Sequence, residues 1–149
     1  MDVSPLQSHD KRGKLYIVGT GPGDLLHITP GALKALAEAD CVIGNGIYLD
    51  LVMPVIAGKE VIRSSMGREV ERASRALDLA RDRRVAMVSG GDAGVYGMAG
   101  IVLEVAESSG STVEIEVIPG ITAALSAAAP LGSPSAGGYQ GRRLSGLPT

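Results

Sequence analysis

The spacing of apolar and polar positions in this chain follows two periods, and these predict its secondary structure. Three short apolar runs are typical of buried strands: LYIVG at 15–19, CVIG at 41–44 and VAMVS at 85–89. KEVI at 59–62 is expected to form a further strand. VEIEVI at 113–118 alternates apolar with acidic residues, as an edge or half-exposed strand does.

Helical spacing appears between these runs. Thr29 and Pro30 are a good N-cap and first-turn pair, and the apolar residues that follow are Leu33, Leu36 and Ala37. The clearest helix is predicted from Met66 to Asp82. Its expected apolar face is formed by Val70, Ala73, Leu77 and Ala80. Another helix is predicted to end near Glu107, and Thr122 is expected to cap a small alanine-rich helix.

The repeated alternation of strand and helix predicts an α/β fold, with a parallel sheet and helices on both of its faces. Ligands of such sheets bind beyond the carboxyl ends of the strands. Three glycine-rich segments leave those ends, namely GTGPGD at 19–24, SGGDAGVYG at 89–97 and IPGITA at 118–123. Their expected convergence is the strongest functional signal in the sequence.

Composition narrows the function classes. The chain has 149 residues, no Phe or Trp, a formal net charge of −2, one cysteine and two histidines. A small negative net charge provides no electrostatic attraction toward nucleic acid or an anionic membrane. The cysteine and histidine counts predict no metal site. No signal peptide or membrane span is apparent, which predicts a cytoplasmic protein.

The same patterns suggest domain boundaries. Residues 1–13 are polar and without a period, so they are expected to form a flexible extension. Residues 14–133 carry the alternating pattern of one domain. Residues 134–149 have neither a period nor an apolar run, which predicts a divergent, disordered tail.

A nucleotide site fits the first glycine segment poorly. A dinucleotide-binding loop leads directly into a helix whose N-terminus meets the pyrophosphate. Here several residues separate GTGPGD from the expected cap at Thr29, and Pro22 lacks a backbone donor. The sequence GxxxxGK[ST] of a P-loop does not occur. These loops suit a flat nucleoside without phosphates, held mainly by backbone.

Three motifs, VGTGPGD, SGGDAGVYGMAG and VIPGITAA, closely resemble those of the tetrapyrrole (corrin/porphyrin) methylase family. The segments IYLDL and SSMGREVERASRALDLA resemble its precorrin-3B C-17-methyltransferase branch. The resemblance covers the family's N-terminal domain and implies that the second α/β domain is missing. It implies S-adenosylmethionine-dependent methyl transfer to C-17 of precorrin-3B or cobalt-precorrin-3B, with ring contraction, in cobalamin biosynthesis.

The resemblance also implies cofactor-binding residues in all three loops. They are Pro22, Gly90, Gly91, Asp92, Val95, Thr122 and Ala123. Each also fits a structural role, such as a turn glycine, a core valine or a helix cap. The position matching a proposed general base in related methylases is Asn45, which cannot take a proton. Asp24 is therefore the remaining candidate for a catalytic residue.

The expected partners are a tetrapyrrole substrate and either a second copy of the chain or a separate C-terminal domain. An apolar surface around Val95, Tyr96 and Met98 is expected to favour such association. Three other functions stay open: methylation at another ring position, cofactor binding without catalysis, and an inactive fragment.

Overall fold

The computed structural model describes residues 13–94 and 97–122 of the chain. Five strands form one parallel sheet in the order β3-β2-β4-β1-β5. The strands are β1 (Lys14–Gly19), β2 (Cys41–Asn45), β3 (Glu60–Ser64), β4 (Arg84–Ser89) and β5 (Glu114–Ile118). The helices are α1 (Pro30–Glu38), α2 (Gly46–Ile56), α3 (Glu69–Leu79) and α4 (Met98–Ser109), with a short 3-10 turn at Leu25–His27. The predicted α/β fold is confirmed.

Successive side chains of each strand enter cores on opposite sides of the sheet. Leu15 and Ile17 of β1 pack with α3 and α4, whereas Tyr16 and Val18 pack with α1 and α2. Small side chains face the sheet on both sides, including Ala73 and Ala76 of α3. Because alanine lets a helix approach closely, the interior is filled without any Phe or Trp.

Helix α1 confirms the predicted cap but turns a different face to the sheet. The Thr29 side chain accepts a hydrogen bond from the Ala32 N–H at 3.1 Å. The buried residues are Ala32, Ala35 and Leu36, while Leu33 is 40% exposed and Ala37 is exposed. The prediction is confirmed for Leu36 but wrong for Leu33 and Ala37, because small alanines rather than the leucine at 33 contact the strands.

Helix α2 was not predicted. Its sequence, GIYLDLVMPVI, is apolar almost throughout and contains Pro54, so the helical period is weak. The Asn45 side chain begins the helix by accepting a hydrogen bond from the Ile47 N–H at 3.0 Å. Asparagine is a strong N-cap, and this was the available signal.

Helix α3 is shorter than the predicted range of Met66 to Asp82. Gly67 has a φ of +82°, which lies outside the helical region and delays the helix until Glu69. Ala73, Leu77 and Ala80 are buried as expected, but Val70 is 62% exposed. Arg72 is buried in its place, with 5% of its surface exposed.

Tyr16 forms a hydrogen bond that favours the charged form of Glu38. Its hydroxyl donates to Glu38 Oε2 at 2.7 Å and accepts from Arg84 Nη1 at 3.0 Å. The hydrogen bond from Tyr16 lowers the pKa of Glu38 below its ordinary value of 4.5. Burial, followed by the hydrogen bond to Glu38, raises the pKa of Tyr16.

We expect Tyr16→Phe to reduce the free energy of unfolding by about 1 kcal/mol at pH 7. The folded-state pKa of Glu38 is lowered, so this stability is present above 4.5 and is lost as the pH falls through the folded value. Urea denaturation of both proteins between pH 7 and pH 3 measures the difference. A difference that stays constant over this range would contradict the assignment.

Candidate functional site

The three glycine-rich loops meet at the carboxyl edge of the sheet, as predicted. Loop 1 (20–24) follows β1, loop 2 (90–97) follows β4 and loop 3 (119–122) follows β5, and these strands are neighbours. Gly21 and Gly91 exchange two backbone hydrogen bonds, of 3.0 and 2.9 Å. The Thr20 hydroxyl donates to the Ser89 carbonyl at 3.1 Å. Loops 1 and 2 are therefore joined directly.

Glycine is required where loop 3 meets the other two loops. A Cβ added to Gly120 would lie 2.3 Å from the carbonyl oxygen of Gly91 and 2.9 Å from the backbone of Gly19. A Cβ added to Gly19 would lie 2.7 Å from the same Gly91 oxygen. No real Cβ tolerates such distances, so these glycines let three main chains come into contact.

Asp92 links loop 2 to loop 3. Its Oδ1 accepts a hydrogen bond from the Gly120 N–H at 2.9 Å, and its Oδ2 accepts one from the Gly94 N–H at 2.9 Å. One carboxylate therefore satisfies a backbone donor in each loop. This arrangement makes Asp92 a positioning residue for the site.

Gly90 lies at the start of loop 2, beside helix α2. Within the described residues, neither its N–H nor its carbonyl takes part in a hydrogen bond. A Cβ at this position would lie 2.5 Å from the ring of Tyr48 in α2, so that ring covers one side of Gly90. Tyr48 is a wall of the site that the sequence did not reveal, because α2 itself was missed.

The contacts of the Asp24 side chain are with the adjacent 3-10 turn. Its side chain caps the 3-10 turn by accepting from the His27 N–H at 3.1 Å, and Oδ1 lies 2.7 Å from His27 Nδ1. Both side chains are exposed, at 55% for Asp24 and 44% for His27. These contacts give the carboxylate a local structural role, and its catalytic role stays a prediction.

The remaining expected residues divide into two groups. Pro22, Gly91 and Thr122 are half-buried in the three loops. Val95, Tyr96 and Ala123 lie outside the described residues, so the predictions for them are untested. Met98 was expected to be exposed but is only 6% exposed, because it packs between β4 and α3. That part of the expected apolar surface was wrong.

The described residues also bear on other classes of site. Across residues 13–94 and 97–122, no three His, Cys, Asp or Glu side chains are grouped closely enough to hold a metal ion. The helices of this part of the chain are too short or too polar to span a membrane. Burial raises the pKa of the Cys41 thiol, which lies in the core.

Comparison with known proteins gives a family match. Residues 14–148 match the family of tetrapyrrole (corrin/porphyrin) methylases. A probable cobalt-factor III C(17)-methyltransferase of Salmonella typhimurium is 44% identical over 80% of this chain and 50% of its own length. A precorrin-3B C(17)-methyltransferase of Sinorhizobium is 39% identical over 82% of this chain and 49% of its own length. The chain thus spans half or less of these relatives.

Solved structures agree with these relatives. The methyltransferase CobJ matches with a TM-score of 0.76 and 38% identity, over 82% of this chain and 52% of its own. Uroporphyrin-III C-methyltransferase from Thermus thermophilus, complexed with S-adenosylhomocysteine, matches with a TM-score of 0.65 and 30% identity. That match covers 87% of this chain and 55% of the other.

Proposed function

Since this chain belongs to the tetrapyrrole (corrin/porphyrin) methylase family, we propose that it supplies the cofactor-binding half of a C-17 methyltransferase. The donor is S-adenosylmethionine, and the acceptor is precorrin-3B or its cobalt-containing form, with ring contraction in cobalamin biosynthesis. The observation that carries the proposal is the direct contact of the three glycine-rich loops at the carboxyl edge. The names of the C(17)-methyltransferase relatives support the ring position.

The loops fit an uncharged adenosine better than a phosphate. Gly90 leaves one donor and one acceptor free beside the Tyr48 ring, which suits the hydrogen-bonding edge and flat face of a base. Loop 1 leads into a three-residue 3-10 turn, not into a long helix whose N-terminus could hold a pyrophosphate. Pro22, Gly90, Gly91, Asp92, Val95, Thr122 and Ala123 are the proposed cofactor-binding residues.

S-adenosylmethionine, when bound, brings an activated methyl group on a sulfonium. The chain's own residues then have to hold the donor in line with the acceptor carbon and exclude water. Asp92 fixes the relative positions of loops 2 and 3, and Tyr48 closes the side of Gly90. Asn45 is occupied as the cap of α2, which agrees with its not being a base.

A covering domain or second copy is part of the proposal. Exposed apolar side chains follow three of the strands at the carboxyl edge, and they are Leu26 at 93%, Ile47 at 65% and Met66 at 68% exposure. A surface of this kind is stabilised when a partner covers it. We therefore expect this chain to associate and to have negligible turnover alone, since an open trough neither orients the ring nor excludes water.

Two measurements on the full chain test the function. Calorimetry with S-adenosylhomocysteine is expected to show binding, whereas NAD is expected to give no heat. Methyl transfer from labelled donor to precorrin-3B is then assayed with and without a separately expressed C-terminal domain. Incorporation at a carbon other than C-17 would refute the ring position, and turnover by a monomer alone would refute the need for a partner.

A further inference from the structure

A cavity lies between helix α3 and the strands β2 and β3, toward the carboxyl end of β3. Its volume is about 240 Å³. Four arginines and one acid are among the residues that line it, and they are Arg63, Arg68, Glu71, Arg72 and Arg75. We refer to it as the arginine pocket.

Arg72 is the buried member of this pocket. Only 5% of the Arg72 surface is exposed. Nη2 donates to the Ser65 carbonyl at 2.8 Å, and Nη1 lies 3.5 Å from the Met98 sulfur. Nε is buried and has no hydrogen-bond partner among the described residues. The guanidinium therefore keeps an unused donor inside the protein.

The charges of the pocket are not balanced. Arg68 pairs with Glu71 at 2.8 Å, and Arg63 pairs with Asp50 at 2.5 Å. Within the described residues, no carboxylate lies within ion-pair distance of Arg72 or Arg75. A buried cation without a counter-ion is costly, so the pocket is suited to bind an anion.

The arginine pocket adjoins loop 2. Met98, which contacts Arg72, is the first residue of α4 directly after loop 2. Its N–H donates to the Ser89 hydroxyl at 3.2 Å, at the end of β4. A ligand bound at the loops would therefore lie next to the arginine pocket, at the same edge of the sheet.

We propose that the arginine pocket binds a side-chain carboxylate of the tetrapyrrole substrate and so sets the orientation of the ring above the cofactor loops. The planar guanidinium matches a carboxylate through parallel N–H donors, and Arg72 has such a donor free. Arg75 contributes a second cation at the mouth. This inference rests on the proposed function, because that function supplies a substrate rich in carboxylates.

The probe is uroporphyrin, a tetrapyrrole that carries eight carboxylates, added to the full chain. We expect Arg72→Met to weaken its binding at least about tenfold, since a charge-assisted hydrogen bond in a buried place is lost. Arg81→Met makes the same change at an exposed residue of the opposite sheet edge and is expected to leave the affinity unchanged. Equal affinities for Arg72→Met and the unaltered chain would overturn the proposal.

Two further readings separate binding from a structural role. The ¹⁵N resonance of Arg72 Nε in the unaltered chain is expected to shift on addition of uroporphyrin, a change that a merely structural arginine would not show. If Arg72→Met fails to fold, Arg75→Met at the exposed mouth replaces it, with an expected loss of about threefold. A shift with inorganic phosphate but none with uroporphyrin would overturn the proposal.

The same samples are titrated with S-adenosylhomocysteine. Binding of S-adenosylhomocysteine together with an unchanged uroporphyrin affinity in Arg72→Met would refute the arginine pocket and keep the proposed function. If the unaltered chain does not bind S-adenosylhomocysteine, but Arg72→Met still weakens uroporphyrin binding, the proposed function is refuted and the pocket is supported as a carboxylate site.

Discussion

Replacement of Gly120 by alanine is expected to weaken S-adenosylhomocysteine binding by about tenfold to a hundredfold. The new Cβ would lie 2.3 Å from the Gly91 carbonyl, so loop 3 has to move away from loops 1 and 2. The displaced loop loses the hydrogen bond from the Gly120 N–H to Asp92, which is equivalent to about 1 kcal/mol, and overpacking lowers the unfolding free energy by about 1–3 kcal/mol. Calorimetry and urea denaturation measure the two effects.

Gly100 provides the matched control. It lies in α4, it is exposed, and a Cβ built there meets no atom within 4 Å. Gly100→Ala is expected to raise the unfolding free energy by about 0.5–1 kcal/mol, because glycine is unfavourable inside a helix. Binding of the cofactor analogue should not change. Equal affinities of Gly120→Ala and Gly100→Ala would show that contact between the loops is irrelevant to binding.

The second large effect is expected from Asp92→Ala. This change removes the acceptor of both the Gly94 and the Gly120 N–H, so loops 2 and 3 are no longer tied together. We expect about tenfold weaker binding of S-adenosylhomocysteine, a higher KM for the methyl donor in the reconstituted enzyme, and a chain that still folds. A KM equal to that of the unaltered protein would refute the assignment.

Hydrogen exchange shows whether Asp92 acts by positioning. The Gly94 and Gly120 amides are expected to exchange faster in Asp92→Ala, whereas Asp92→Asn, which keeps one acceptor oxygen, should give an intermediate result. Asp78→Ala removes an exposed carboxylate from α3 and is the charge-matched control. Unchanged exchange at Gly94 and Gly120 in Asp92→Ala would contradict the role described for this carboxylate.

The strands and the meeting of the loops were predictable because both follow from simple rules. Apolar runs such as 85–89 indicate buried strands, and parallel strands place their following loops at one edge. The contact of Gly19, Gly91 and Gly120 was not predictable, since it depends on the distances between three main chains. The two hydrogen bonds by which Asp92 links loops 2 and 3 were not predictable for the same reason.

Other features were hidden by the limits of the apolar pattern. Helix α2 lacks a polar face, so its period did not distinguish it from a loop or a strand. The apolar pattern treats Arg72 as a charged residue and so predicts that it is exposed. Its burial is decided by neighbours such as Ser65 and Met98, which the pattern does not reveal. The arginine pocket is therefore visible only in the folded chain.

Together with the two proposals above, the order of the strands implies a minimum size for the substrate. Ser64 and Ser65 line the far side of the arginine pocket, at the carboxyl end of β3, and loop 1 follows β1. Three strand spacings separate these two positions in the order β3-β2-β4-β1-β5. At a spacing of about 4.8 Å, the separation is about 14 Å. A single pyrrole is too short to reach from the β3 side of the pocket to loop 1, whereas a macrocycle with flexible acid side chains is wide enough. The width of the sheet would thus select against small precursors before any methyl group is transferred.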